Sequence, residues 1–310
     1  MHIELIRGEY NLKPHHQGCV VTIGNFDGVH KGHQALLKKL KDAARALNVP
    51  TTVILFEPQP MEFFQPKKPI ARLMRLREKL FALSQCGIDR VLVLRFNETQ
   101  ANISADNFVK NILHDKLKIK KIIVGDDFHF GFQRKGNFEF LKTAGKDFGF
   151  EVEAMPTFLI HEERVSSTRV RAALAEFNYE KVVTLLGHPY SMMGRVVHGN
   201  KQGRILGFPT ANIYLHRAMT AVLGVFCVKM RIGEGEWLPG VANLGIRPTI
   251  GGTRILLEVY LFNFNQMIYG KQVQVEFLKK LREEERYDSL ELLRQQIMKD
   301  AEEAREFHKL

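Results

Sequence analysis

Cysteine is scarce in this chain, with Cys19, Cys86 and Cys227 the only three among 310 residues, widely spaced and in no CxxC pair. That argues against a disulfide-stapled scaffold and a cysteine-built zinc site. The apolar neighbours of each thiol fit buried, reduced side chains. Long hydrophobic runs are also missing, and no stretch approaches the roughly 20 apolar residues that span a bilayer. The opening MHIELIRGEY has no apolar leader core and carries Glu4 and Glu9, so a cytoplasmic location is expected. There is one Trp, no GxxxxGK[ST] loop, no GxGxxG after the first strand, no internal repeat and no low-complexity linker. Acidic residues fall short of basic ones, 34 against 45, leaving a net charge of +11. The excess suits anionic ligands, whether nucleic acid or nucleoside triphosphate. The basic residues are spread along the chain, so charge alone does not choose between these.

A chain of this length exceeds one compact core, and two domains are expected. Short β-rich apolar runs occur at CVVTIG (19–24), TTVILF (51–56), RVLVLRF (90–96), KKIIVG (120–125) and FEVEAM (150–155). Between them, periodicity predicts helices over about 33–47, 73–86, 104–117 and 137–148. Ser104 reads as an N-cap, and Gly87 as a residue just past a helix end. The alternation predicts an α/β domain with a doubly wound parallel sheet, whose ligands bind beyond the carboxyl ends of the strands. From Tyr190 to Leu278 the pattern changes to short strands broken by Gly and Pro, which predicts a small antiparallel β-barrel. Residues 282–308, with Leu290, Leu293 and Ile297 on one face, read as a closing helix. The domains are placed at 1–186 and 187–310.

After the first long strand comes Gly24-Asn25-Phe26-Asp27-Gly28-Val29-His30-Lys31-Gly32-His33, running straight into a helix. The free N–H groups and dipole of a helix start favour a phosphate. His30 and His33 can donate hydrogen bonds to phosphate oxygens, and Gly32 allows close backbone approach. A second cluster, Arg164-Val165-Ser166-Ser167-Thr168-Arg169-Val170-Arg171, precedes a short helical pattern. Ser167 or Thr168 can cap that helix, and three arginines match a triphosphate. The pair resembles the nucleotidyltransferase superfamily, in which an HxGH turn and an STxxR-type segment hold ATP. Such enzymes align an attacking phosphate with the α-phosphorus and release pyrophosphate, usually with magnesium.

Two aromatic segments fall at strand ends, Phe56-Glu57-Pro58 and Gly125-Asp126-Asp127-Phe128-His129-Phe130-Gly131. They suit a flat ring system, although core packing also claims some of these rings. Taken in order, the motifs resemble the FMN adenylyltransferase module of bacterial bifunctional riboflavin kinase/FAD synthetases over residues 18–186. The resemblance implies that His30 and His33 act in catalysis and that Gly24, Asn25, Phe26, Asp27, Gly32, Arg164, Ser167, Thr168 and Arg171 bind ATP. It implies flavin contacts from Phe56, Pro58, Asp127 and Phe128.

It also implies a flavokinase in the remainder. Gly194 to Arg204 form a glycine-rich basic loop, and Leu206-Gly207-Phe208-Pro209-Thr210-Ala211-Asn212 follow. Backbone N–H groups of such a loop can wrap phosphates, although a plain hairpin fits the same residues. Thr210 and Asn212 lie two apart on an extended segment and so share a side, where their oxygens suit Mg2+. Glu258, alone in ILLEVYLF, either marks a wet strand face or does chemistry. The family carries a general base on the ribityl 5′-hydroxyl at this position. By resemblance, Gly199, Lys201, Gly203, Arg204, Gly207 and Pro209 bind the kinase ATP, while Arg282, Tyr287 and Leu290 face the flavin. Residues 240–249 resemble the family's NxGxRPT segment. The sequence departs from common family residues at Phe226, Asn263, Asn265 and Asp127, and none of these is a proposed catalytic group.

The expected partners are riboflavin, FMN, FAD, ATP, ADP and pyrophosphate, with neither nucleic acid nor membrane. A pantetheine-phosphate or nicotinamide-mononucleotide adenylyltransferase would share HKGH but leave residues 187–310 without a purpose. A relative of class I aminoacyl-tRNA synthetases would welcome the charge, yet no KMSKS-like loop is present. A flavin-binding regulator would not need His30, His33, Thr210, Asn212 and Glu258 intact.

Overall fold

In the computed structural model, residues 3–199, 202–249 and 252–310 are described. The chain divides into two compact units, Met1–Ile70 with Leu76–Ser167, and Ala71–Arg75 with Thr168–Leu310.

The first unit holds a six-stranded sheet of β1 (Glu4–Arg7), β2 (Val20–Ile23), β3 (Thr51–Glu57), β4 (Arg90–Arg95), β5 (Lys121–Gly125) and β6 (Glu151–Met155). The order is β1-β4-β3-β2-β5-β6, and every pair is parallel. All four residues of β2 are buried, as a central strand covered on both faces requires. The covering helices are α1 (Lys31–Ala46), α2 (Pro60–Phe64), α3 (Leu76–Gln85), α4 (Glu98–Ala101), α5 (Ala105–Phe108) and α6 (Phe138–Phe148). Helix α1 buries Leu36, Leu37, Leu40 and Ala44, one stripe at helical spacing. Helix α6 starts where the Asn137 side chain accepts the Phe140 N–H at 2.9 Å, and it stops at left-handed Gly149.

The expected cap at Ser104 is present, accepting the Asn107 N–H at 3.1 Å. The helix expected over 104–117 is instead α5 followed by a π-helical stretch, Val109–Lys116. Leu117 N–H reaches back five residues to the Ile112 carbonyl at 3.0 Å, while Val109, Ile112 and Leu113 stay buried. Strand β1 lies outside every expected run, because ELIR has one buried residue and charged ends. A two-residue hairpin, β7 (Leu159–Ile160) with β8 (Glu163–Arg164), follows β6.

The chain runs from β2 toward β3 and β4 on one side and β5 and β6 on the other. The crevice at the carboxyl ends of β2 and β5 is therefore the switch point of the sheet. Residues 24–33 follow β2, and Asp126 and Asp127 follow β5.

The larger segment of the second unit starts just after the first residue of α7 (Ser167–Ala175) and includes α8 (Tyr179–Leu186). Its strands are β9 (Tyr190–Val197), β10 (Ala211–Tyr214), β11 (Gly224–Ile232), β12 (Trp237–Thr249), β13 (Gly252–Leu261) and β14 (Gln272–Arg282). They close into a barrel in the order β10-β13-β12-β11-β14-β9. A short α9 (Gln202–Ile205) follows β9, and α10 (Leu290–His308) ends the chain. Ala301 and Ala304 of α10 pack with Val225, Cys227, Val241 and Phe262.

Residues 71–75 join this unit although they lie between α2 and α3. Arg171 Nε donates to the Ala71 carbonyl at 2.8 Å, Arg217 Nη1 to that of Arg72 at 2.6 Å, and Arg75 Nη2 to that of Met193 at 2.7 Å. Leu73, between them, is fully buried.

Candidate active sites

The turn after β2 is held in an unusual conformation. Phe26 and Val29 have φ of 47° and 39°, beside Gly28 at 85°, and both side chains are buried. Their burial holds backbone that non-glycine residues seldom adopt. The turn delivers His30 to the N-cap of α1, where its Nδ1 accepts the His33 N–H at 3.3 Å. With Nδ1 accepting, the neutral ring carries its proton on Nε2. The His33 ring stacks on that of His30 at 3.6 Å and 15°, and the Phe26 ring lies 4.9 Å from His33.

Burial lowers the His30 pKa to about 4. Burial, then His30, then Lys79 of α3 push His33 well below the ordinary imidazole value. Both rings are thus neutral at pH 7, N–H donors and not cations. His33 Nδ1 is buried and accepts no hydrogen bond. A side chain at Gly32 would meet the His30 ring at 3.3 Å and Phe158 Cβ at 3.4 Å. Asp27 is buried and Asn25 exposed. Ser167 Oγ donates to the Asp27 carbonyl at 2.7 Å, tying the start of α7 to this turn.

Around the strand ends, Arg164 Nη2 lies 2.6 Å from Asp127 Oδ2, both side chains exposed. Phe56 and Phe128 both pack against the main core of the first unit. They are joined through Phe108 and Phe130 by ring contacts of 6.3, 5.7 and 5.5 Å. Part of their apolar surface is therefore spent on packing, and Pro58 is exposed. Thr168 and Arg171 belong to the second unit.

In the second unit, a cavity of about 830 Å³ lies against the barrel wall. Along β13, Ile255, Leu257 and Val259 are buried, while the alternate residues Leu256, Glu258 and Tyr260 line this cavity. Glu258 is therefore on the face away from the core, and that face is the cavity wall. Strand register sets Asn212 of β10 opposite Glu258, and Asn243 of β12 opposite Glu258 on its other side. Directly opposed residues point the same way, so Asn212, Glu258 and Asn243 form one row, and all three line the cavity.

Glu258 Oε2 accepts from Arg247 Nη2 at 3.0 Å. Arg247 Nη1 donates to Glu284 Oε1, which also accepts from Asn243 Nδ2 at 3.2 Å. Burial disfavours the Arg247 charge, yet Glu284 and Glu258 together raise its pKa above the ordinary value. A Cβ at Gly245 would collide with the Arg247–Glu284 pair, and one at Gly199 with the Asn212 amide. At Gly203 it would meet the Phe208 carbonyl, with Thr210 Oγ1 at 3.3 Å. Three glycines thus leave room for the polar groups of this site.

Arg282 lines the cavity and is held by Asp300 of α10, Nε to Oδ1 at 2.8 Å and Nη2 to Oδ2 at 2.7 Å. Tyr287 also lines it, with its hydroxyl donating to Glu285 at 2.8 Å. From α10, Leu293 and Ile297 reach the cavity, whereas Leu290 is 63% exposed. Pro209 and Gly207 are exposed, and Gly207 is left-handed at φ 88°. Arg204 lies in α9, and Lys201 falls outside the described residues. The site residues that sequence reasoning did not assign are Asn243, Arg247, Glu284 and Asp300. Asn243 and Arg247 sit in the NxGxRPT segment and Glu284 in the 277–290 tail that resembles the family's flavin-facing loop, whereas Asp300 carried no local signal.

Among the described residues, Glu4, His15 and His16 bring three ligand atoms within 4.8 Å of one another. His16 Nδ1 accepts the Lys13 N–H at 2.9 Å, so its proton sits on Nε2 and goes to Glu4 at 2.8 Å. That leaves the His16 ring without a lone pair for a cation.

A family model described as FAD synthetase matches residues 12–169, and one described as riboflavin kinase matches 186–308. The chain is 50% identical to a bifunctional riboflavin kinase/FMN adenylyltransferase of Haemophilus influenzae, over 98% of this chain and 99% of that protein. It is 50% identical to the Escherichia coli K12 protein of the same description, over 98% of each. A solved structure from Streptococcus pneumoniae, described as a macrolide-efflux protein, matches with TM-score 0.80 at 31% identity, over 96% of this chain and 97% of that one. Among the described residues here, no helix is long and apolar enough to cross a membrane.

Proposed function

The chain belongs to the bifunctional riboflavin kinase/FMN adenylyltransferase family, and we propose that its two reactions run on the two residue sets just described. The FAD synthetase part is N-terminal and the flavokinase part C-terminal. Riboflavin and ATP give FMN and ADP, and FMN with a second ATP gives FAD and pyrophosphate. We place the modules at 1–186 and 187–310, in a cytoplasmic enzyme.

The observation that carries the kinase assignment is the Asn212–Glu258–Asn243 row on the wall of an 830 Å³ cavity. Glu258 takes the proton of the ribityl 5′-hydroxyl, whose oxygen then attacks the γ-phosphorus of ATP. Arg247 steadies the carboxylate that does this. Gly199, Lys201, Gly203, Arg204, Gly207 and Pro209 bind the ATP phosphates, the glycine-rich loop through its backbone N–H groups. Thr210 and Asn212 suit Mg2+ by their hard oxygen donors and by the glycines that leave them unobstructed. When bound, the ion neutralises phosphate charge. Arg282, Tyr287 and Leu290 complete the flavin side.

In the adenylyltransferase, the FMN phosphate attacks the α-phosphorus and pyrophosphate leaves. His30 and His33, kept neutral by burial, donate hydrogen bonds to phosphate oxygens without changing protonation state. Gly24, Asn25, Phe26, Asp27, Gly32, Arg164, Ser167, Thr168 and Arg171 bind ATP, while Phe56, Pro58, Asp127 and Phe128 contact the flavin.

The test is incubation with riboflavin, ATP and magnesium, followed by chromatographic separation of the flavins. Absence of both FMN and FAD would refute the reading. Glu258→Gln should block riboflavin phosphorylation and spare adenylylation of supplied FMN, and His33→Ala should let FMN accumulate. If both variants lose both steps while folded, the two-site assignment fails.

A further inference from the structure

We propose that Asn243 is a substrate-reading residue of the kinase site, whose Oδ1 accepts a hydrogen bond from a second hydroxyl of the chain that carries the phosphorylated one. The proposal rests on the kinase reading above and deepens it.

The orientation of the Asn243 amide follows from its neighbour. Its Nδ2 donates to Glu284 Oε1 at 3.2 Å, and a carboxylate that already accepts from Arg247 has only acceptor capacity to offer. The amide nitrogen must therefore face Glu284, and the oxygen must turn away. That oxygen is shielded from solvent and has no hydrogen-bond partner. A buried acceptor left unmatched costs about 1–3 kcal/mol, a cost that a donor on a bound ligand removes.

Position identifies the donor. Asn243 lies directly opposite Glu258 across the β12–β13 ladder, so the two Cα atoms are about 5 Å apart and both side chains lie on the cavity face. Two hydroxyls of one polyol chain span such a separation. With the terminal hydroxyl at Glu258, an internal hydroxyl of the same chain is the donor available to Asn243. Asn212, the third member of the row, lies on the other side of Glu258, next to Thr210 and the glycine-rich loop. The row thus runs from phosphate side to polyol side with the base in the middle.

The experiment compares two substrates, riboflavin and a flavin bearing a 5-hydroxypentyl chain, which keeps the terminal hydroxyl and lacks the internal ones. Kinase kcat and KM are measured for the wild type and for Asn243→Ala in the full chain. Asn243→Ala should lower kcat/KM for riboflavin about tenfold, mainly through KM, from the loss of one buried hydrogen bond. On the hydroxypentyl flavin, which lacks the internal hydroxyls, the loss should be at least about fivefold smaller than on riboflavin. Equal loss on both substrates, or no loss on riboflavin, overturns the proposal. Adenylylation of supplied FMN and the Trp237 fluorescence report whether the variant is folded. Should Asn243→Ala not fold, Asn243→Ser is put through the same substrate pair. If that variant also loses the barrel, Asn243 is structural and the proposal is wrong. A wild type that phosphorylates neither flavin overturns the kinase reading itself, and this inference with it.

Discussion

Removing the Asp300 carboxylate should loosen the second unit by an amount that the single tryptophan can report. Asp300 holds Arg282 through two parallel hydrogen bonds of 2.8 and 2.7 Å, and the side chains are only 8% and 19% exposed. Asp300→Ala leaves a largely desolvated guanidinium without its counter-charge, while the Gln296 amide loses its 3.0 Å acceptor. Breaking one side of a buried pair costs about 3–5 kcal/mol, and the partial exposure of Arg282 points to the lower end, about 3 kcal/mol. With a urea slope near 2 kcal/mol per molar, the unfolding midpoint falls by about 1.5 M. Trp237, in β12, is the chain's one tryptophan, so its fluorescence follows the barrel alone. The companion double variant Asp300→Leu/Arg282→Met removes both charges and should recover at least half of the loss. A midpoint shift under about 0.5 M, or a double variant less stable than Asp300→Ala, would refute this account of how α10 is tied to β14.

Three further outcomes are expected. Burial holds His30 at about 4 against 6.5 in the unfolded chain, so between those values only the unfolded state takes up the proton. The contribution is complete above pH 6.5 and falls by about 3 kcal/mol as the pH drops to 4. In circular-dichroism denaturation series, His30→Gln should flatten this slope without abolishing it, because His33 is shifted in the same direction. Gly199→Ala places a methyl on the Asn212 amide, and a displacement of that size should lower kinase kcat/KM about 100-fold while adenylylation of supplied FMN stays unchanged. Asp127→Asn breaks an ion pair whose side chains are 60% and 53% exposed, so the unfolding free energy should change by less than about 1 kcal/mol.

What the sequence made legible was whatever repeats locally. Strands β2 to β5 are built on apolar runs, β6 alternates Glu with apolar residues, and the barrel strands alternate between Gly and Pro breaks, so each announces its element. Strand β1 did not, because four residues with a single buried side chain carry no period. The HKGH turn was readable because phosphate recognition concentrates glycine and histidine in one stretch of chain. The kinase site was less so. Asn212, Glu258 and Asn243 are separated by 46 and 15 positions, and only β-ladder register sets them side by side. Arg247 and Glu284 are 37 residues apart, and Asp300 meets Arg282 across a strand and a helix. Leu290, Leu293 and Ile297 share one helical period, yet only the latter two line the cavity, while Leu290, the first residue of α10, is exposed.

The five residues 71–75 have a consequence for how this protein can be taken apart. A gene cut at a single codon cannot separate the two units cleanly, since the second comprises residues 71–75 as well as 168–310. A fragment starting at 187 would keep Arg217 and the Met193 carbonyl but discard Arg72 and Arg75, to which they are hydrogen-bonded. It would also leave behind α7 and α8. Fission or shuffling of modules in such a chain would carry along a short internal peptide as well as a terminus, and a split enzyme would keep its native contacts only with that peptide supplied.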